Sequence, residues 1–237
     1  MSEGRKPTTA GIVCLLLAFG TGILGAQNAP ASPGPGQAAA AQPPMAADFS
    51  LVDQNNEAYR FSTTRGKIVV LGFIYTHCAD ICPFVTMKIK IAHELLGTDA
   101  DKVAFLAITT DPERDTPTVI ANYSKAAGME NIWHFLTGTP DEVKKVWSEY
   151  GVRVQEEQGV EDSEGQASSD QMRLDLAKGL GDAELALARS LIGQFAGGYA
   201  LSHSGPIWII DAQRRIRAIL DAETQPSDIV RAIRAAM

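Results

Sequence analysis

From Asp48 onward the chain switches repeatedly between short apolar runs and helix-period stretches, and the switches mark the elements. Phe49–Val52 and Tyr59–Phe61 flank Asn55-Asn56 and predict a hairpin. Ile68–Tyr75 is an unbroken apolar run, as expected of a central strand buried on both faces. Pro83–Leu96 reads as a helix and Val103–Thr109 as a second buried strand. Thr116–Ala127 is a helix, Trp133–Leu136 a short strand and Asp141–Tyr150 another helix. Ile207–Ile210 and Ile216–Leu220 predict two strands joined by Asp211-Ala212-Gln213-Arg214, and Asp228–Ala236 closes as a helix. Strands alternating with helices imply the α/β class, with a central sheet covered by helices on both faces.

Residues 155–200 interrupt this alternation. The segment starts acidic: between Arg153 and Arg173 stand Glu156, Glu157, Glu161, Asp162, Glu164 and Asp170, with no base. It then turns helical, with Leu176, Leu180, Leu187, Leu191 and Phe195 on one apolar face and Asp182 placed to cap its second half. A helical insertion packed on the domain is the expectation, because an amphipathic face usually packs on its own core. A lid or docking arm is the alternative.

The N-terminus has a different character. Arg5 and Lys6 precede an apolar run from Gly11 to Ala26, so residues 1–26 read as a signal peptide or, if uncleaved, a membrane anchor. The positive flank stays inside and the rest is exported. Cys14 falls within the apolar run. Residues 27–47 hold five prolines among alanines and glycines and no charge before Asp48, which predicts an extended linker. The globular domain is then residues 48–237. Composition is ordinary for such a domain, at 45% hydrophobic and 21% charged, and a net charge of −7 does not suggest a nucleic-acid partner.

The chemistry lies at Cys78-Ala79-Asp80-Ile81-Cys82-Pro83. Two thiols are held where a buried strand gives way to a helix. Such a pair can cycle between dithiol and disulfide, or bind a soft metal ion. With Pro83 at the first helical position, Cys82 would lie at the helix N-terminus, where unpaired N–H groups favour a thiolate. A buried structural disulfide, or a pair of inert core thiols, is the bland alternative for an exported protein.

Phe73-Ile74-Tyr75-Thr76-His77-Cys78-Ala79-Asp80-Ile81-Cys82-Pro83 resembles the signature of the Sco/SenC family. Ile108–Pro117 and Leu201–Asp211 resemble two further blocks of that family. The resemblance spans about residues 48–154 and 200–236. It implies a thioredoxin-like fold with a central mixed sheet. It also implies a copper chaperone that helps assemble the dinuclear copper centre of cytochrome c oxidase. Carried over by position, it makes Cys78, Cys82 and His203 the ligands of a copper ion, Cu(I) or Cu(II). The donor set suits that ion, since thiolates favour Cu(I) and imidazole serves both oxidation states. Two departures stand out: Ala79 replaces a proline, and Ser202 replaces an acidic residue before the histidine.

The expected partner is the copper-accepting subunit of the oxidase, with other copper chaperones as further candidates. The expected location is the periplasm or the outer face of the cytoplasmic membrane. The competing function is a thiol-disulfide oxidoreductase that uses Cys78 and Cys82 to reduce a copper-site subunit without metal. A peroxide-reducing enzyme is a weaker third, because no arginine lies within twelve residues of Cys78. Among other polar residues, His77 is expected to be structural, His93 at the surface and His134 half-buried. Asp80 could tune the thiol loop or cap the helix, while Asp111 and Asp115 should shape a turn and a helix cap.

Overall fold

The apolar run Ile68–Ile74 forms β3 at the middle of a seven-stranded sheet, and its side chains divide between two cores. Ile68, Val70 and Ile74 join the core on one face, whereas Val69, Leu71 and Phe73 join the core on the other. This is the period of two expected of a strand covered on both sides. The computed structural model describes residues 43–156, 171, 173–203 and 205–237, without the side chain of His203. Expectations for residues 1–42, including the signal or anchor, lie outside the described residues.

In chain order the sheet strands are β1 (Ser50–Asp53), β2 (Ala58–Arg60), β3, β4 (Val103–Thr109) and β5 (Trp133–Thr137). The ribbon strands β6 (Val154–Glu156) and β7 (Leu201–His203) follow, and β8 (Ile207–Ile210) and β9 (Ile216–Leu220) complete the sheet. The sheet order is β2-β1-β5-β4-β3-β8-β9. The pairs β3–β4 and β4–β5 are parallel; β1–β2, β1–β5, β3–β8 and β8–β9 are antiparallel. The sheet is therefore mixed, as the thioredoxin-like expectation required. The helices are α1 (Ile81–Leu96), α2 (Pro117–Ala126), α3 (Pro140–Tyr150), α4 (Asp182–Phe195) and α5 (Pro226–Ala236). Residues of α1, α2, α4 and α5 fill one core, and Val143, Val146 and Trp147 of α3 fill the other.

Local signals explain the helix starts. Thr116 caps α2 by accepting from the Val119 N–H. Thr139 and Glu142 form a reciprocal capping box on α3, with Pro140 in the first turn. In α4 the cap is Gly181, and Asp182 stands one residue inside, where its charge suits the helix dipole. The hairpin turns at Asn56, whose φ of 61° is the left-handed region that asparagine tolerates. The expected linker ends earlier than Asp48: Ala46 donates to the Arg214 carbonyl at 2.7 Å, and Pro44 accepts from Ile216. Residues 44–47 thus already belong to the sheet edge.

The 155–200 segment is closed at its neck by a two-stranded ribbon, β6 against β7, which the sequence pattern had not predicted. Its described residues pack on the domain. Leu176, Ala188 and Leu191 are buried in the main core, and Leu180, Leu187 and Phe195 pack partly against it. The Phe195 ring meets Tyr123 of α2 edge-on at 5.3 Å. The packed helix, rather than a free arm, is what these residues form. Leu191→Ala should therefore cost about 2–5 kcal/mol, the usual range for emptying a buried leucine site. Urea unfolding monitored by circular dichroism measures it; a loss under about 1 kcal/mol would mean that α4 is a detachable element.

Candidate metal centre

The thiol loop is set by two neighbours with opposite demands. β3 ends at Ile74, and Thr76 is anchored at once by the buried Asp115. α1 begins at Ile81, two residues before the proline that was expected to open it. Pro83 is tolerated in the first turn because N–H groups there have no helical partner to lose. The consequence is that Cys82 lies inside α1 and Cys78 lies in front of it. The free N–H groups of the helix start point at Cys78: its Sγ accepts from Asp80 N at 3.4 Å and from Cys82 N at 3.5 Å. The two cysteines are not joined in a disulfide and both are buried, Cys78 at 3% exposure and Cys82 at 0%.

This geometry reverses the expected roles. The Cys78 thiol is held below its ordinary pKa, first by a hydrogen bond from the Cys82 thiol. The Cys82 and Asp80 N–H groups and the Tyr75 hydroxyl add to that stabilisation, against the opposing effect of burial. Burial pushes the Cys82 thiol well up, and the neighbouring Cys78 adds to the rise. Cys78 is the sulfur toward which the donors converge, and its ionised form is the more favoured of the two. Burial, reinforced by the nearby Cys78 charge, also raises Tyr75 far above the ordinary tyrosine value.

Cys78 opens into a cavity of about 550 Å³ whose walls include Asp80, Ile81, Arg173, Ser202 and Glu223; Cys82 is not among its lining residues. The far wall is the strand that carries His203. The main chain of His203 pairs with Val154 in the ribbon. Two residues before it, Leu201 donates its N–H to the Tyr75 hydroxyl at 3.1 Å and its carbonyl lies 3.2 Å from the same oxygen. Two residues after it, Gly205 presses on the thiol loop: a Cβ there would stand 2.7 Å from Ile81 Cδ1. The chain on one side of His203 thus meets Ile81 in the loop between the thiols, and on the other it bonds Tyr75 just before that loop, although 121 positions separate His203 from Cys82. The His203 side chain itself lies outside the described residues. Among the described residues no three metal-ligating side chains form a group.

The sequence model of the SCO1/SenC family matches residues 37–175, more than half of the chain. The chain belongs to the SCO1/SenC family. A SCO2-like protein of Rickettsia typhi is 32% identical over 116 residues, 49% of this chain and 56% of that protein. The chain spans about half the length of the curated relatives it matches. Among solved structures, Bradyrhizobium japonicum ScoI with copper bound superposes with a TM-score of 0.60 at 25% identity, covering 82% of this chain and all of that one. BsSco, described as a member of the Sco family of cytochrome c oxidase assembly proteins with a disulfide switch, aligns with a TM-score of 0.55 at 16% identity, covering 82% of this chain and 94% of that one. The thioredoxin-like fold of the family is thus the fold of this member.

Other expectations meet mixed outcomes. Asp80 occupies the cap position of α1 without a side-chain cap bond and instead faces Arg173 at 3.5 Å. Spacing along the chain thus concealed an arginine at the thiol loop, brought there from the insertion. His77 binds the Thr76 hydroxyl through Nδ1 at 2.8 Å, in keeping with a structural role. His93 is half-buried against Phe105 rather than at the surface. His134 is exposed and held by Asp53 at 3.1 Å. Asp115 caps nothing; Thr116 takes that place, and Asp115 binds both Thr76 and Thr109. Its role was invisible because its partners stand on other elements, Thr76 in the turn after β3 and Thr109 at the end of β4. Asp111 does shape the turn, accepting from the Arg114 and Asp115 N–H groups.

The division of labour between the thiols is measurable. In reduced protein carrying Cys14→Ser, ultraviolet thiolate absorbance should show Cys78 ionising first and below the ordinary thiol range. Cys82→Ala removes its main donor and should move Cys78 upward, whereas Cys82→Ser keeps a donor and should move it less. An unshifted Cys78 in Cys82→Ala would assign the effect to the helix N–H groups alone.

Proposed function

We propose that this protein is a copper-binding metallochaperone that delivers copper to the dinuclear copper centre of cytochrome c oxidase during its assembly. Copper is cargo here, not a resident cofactor. The observation that carries the reading is the dithiol at the start of α1, with one stabilised thiolate opening into a cavity. Cys78 and Cys82 would supply the two soft ligands. His203 would supply the third, a reading supported by the contacts that its flanking residues make with the thiol side. The family match ends at residue 175, so His203 rests on the Leu201–Asp211 block and on this proximity. A relative solved with copper bound supports the choice of ion.

Partners and location follow from that reading. The acceptor is the copper-site subunit of the oxidase, and other copper chaperones are candidate donors. Residues 1–26 would direct export, leaving the domain in the periplasm or anchored at the outer face of the cytoplasmic membrane. Among the described residues no helix is long and apolar enough to cross a membrane. Residues 155–200 are read as an insertion within a single domain.

A second reading, a thiol-disulfide oxidoreductase, is favoured by one observation. Cys78 faces the cavity as the thiolate while Cys82 is shielded behind it, the arrangement of an attacking and a resolving thiol. The two readings diverge at His203. Reduced protein should bind one copper ion. Cys78→Ser or Cys82→Ser should abolish tight Cu(I) binding. His203→Ala should weaken Cu(II) binding by more than about tenfold, or 1.4 kcal/mol. In cells short of copper, His203→Ala with both thiols intact should lower copper loading of the oxidase. Undiminished oxidase activity there would put the oxidoreductase first.

A further inference from the structure

The segment that leads into β7 is gripped from the side opposite the thiols. Arg114, in the turn after β4, reaches across 83 positions of sequence and donates from Nη1 to the Gly197 carbonyl at 2.8 Å. Its Nε binds Asp111 Oδ2. Its guanidinium lies over the Tyr199 ring at 3.6 Å, with Tyr75 further off at 5.9 Å. The Tyr199 hydroxyl closes the circuit by donating to Asp111 Oδ1 at 2.8 Å. Asp111 is buried and serves both partners. Gly198 completes the fit. Its φ is +77°, and a Cβ there would stand 2.8 Å from Arg114 Nη1. The left-handed backbone at this position favours glycine, and any side chain there would push the guanidinium aside.

These contacts are out of proportion to an ordinary surface turn. Three residues of the segment, Gly197, Gly198 and Tyr199, meet one arginine. Two residues later Leu201 is fixed to Tyr75 through both its N–H and its carbonyl. Tyr75 in turn touches Cys78. The ribbon itself has only three residue pairs, too few to hold a strand on its own. These tethers hold the strand that carries His203, whose neighbours Leu201 and Ser202 line the cavity.

We propose that Arg114 is a positioning residue for the copper site. With Asp111 and Tyr199 it forms a clasp that sets where β7, and hence His203, stands relative to Cys78 and Cys82. The inference rests on the reading of His203 as the third ligand. Arginine is required because one planar group must donate in two directions while stacking on a ring, which lysine cannot do.

The test is a double-mutant cycle between Arg114 and His203 in the full protein, read in two ways. In metal-free reduced protein, amide hydrogen exchange at residues 199–203 should quicken in Arg114→Ala while exchange in β3 and β4 stays slow. With copper, Arg114→Ala and Arg114→Lys should weaken Cu(II) binding by about tenfold and diminish the nitrogen-ligand signature in electron paramagnetic resonance. The decisive comparison is His203→Ala/Arg114→Ala, which should bind Cu(II) no more weakly than His203→Ala alone. Tyr199→Phe removes only the hydroxyl and should shift both readouts in the same direction by less; it carries the test if Arg114→Ala does not fold. Full additivity in the double variant overturns the proposal, as does wild-type Cu(II) affinity in Arg114→Ala and Tyr199→Phe while His203→Ala is weakened. Wild-type affinity in His203→Ala overturns the third-ligand reading and this inference with it.

Discussion

The candidate site depends on the buried carboxyl group of Asp115. At 0% exposure it accepts from the Thr76 hydroxyl at 2.5 Å, the Thr109 hydroxyl at 2.6 Å and the Thr76 N–H at 3.2 Å. A carboxyl group without partners at that depth would cost several kcal/mol, so the three donors are a condition of the fold. They tie together the ends of β3 and β4, which already pair in parallel through Ile74 and Thr109. Thr76 stands two residues before Cys78, and Asp115 directly follows Arg114. One buried group thus fixes both the loop that holds the thiols and the turn that reaches the histidine strand.

The thiols then divide by position relative to a single helix start. Four backbone N–H groups at a helix start lack helical partners. Here two of the N–H groups around that start, those of Asp80 and Cys82, are turned on Cys78 rather than on solvent. Cys82, one turn further into the protein, receives burial instead, which disfavours its ionised form. Two chemically identical side chains four positions apart acquire opposite tendencies, one from the donors turned on it and the other mainly from burial. A metal ion would abolish the distinction, because both sulfurs must give up their protons to bind it. The asymmetry therefore belongs to the empty, reduced pair and governs which sulfur reacts first.

Much of this was legible in the chain. The continuous apolar runs located β3, β4 and β8 closely, because a strand buried on both faces reads as one nearly unbroken apolar run. The helix face of Leu176, Leu187, Leu191 and Phe195 predicted packing on the core, and packing is what they do. The failures have separate physical causes. The ribbon β6–β7 has three residues in each strand and no alternation to detect. Asp115 looked like a helix cap because a proline and a helix follow it; its hydroxyl partners stand on other elements. Pro83 suggested a helix start, but the first turn tolerates proline at more than one position, so α1 began earlier and the thiol roles exchanged.

The two halves of the proposed site are held by different kinds of force. The thiols sit between a strand buried on both faces and a helix whose residues fill the main core, so moving them means disrupting packing. The histidine strand is held mainly by polar contacts: three ribbon pairs, two bonds to Tyr75 and the Arg114 clasp. Each such bond contributes about 1 kcal/mol net, and each is partly open to water. Polar tethers can break singly while the core stays closed, which places this strand among the first elements to open. On the proposed chaperone reading, a site that surrenders its cargo would gain from that asymmetry. Release would begin at the imidazole, on the polar side, and would leave two thiolates still gripping the ion as an acceptor approaches through the cavity.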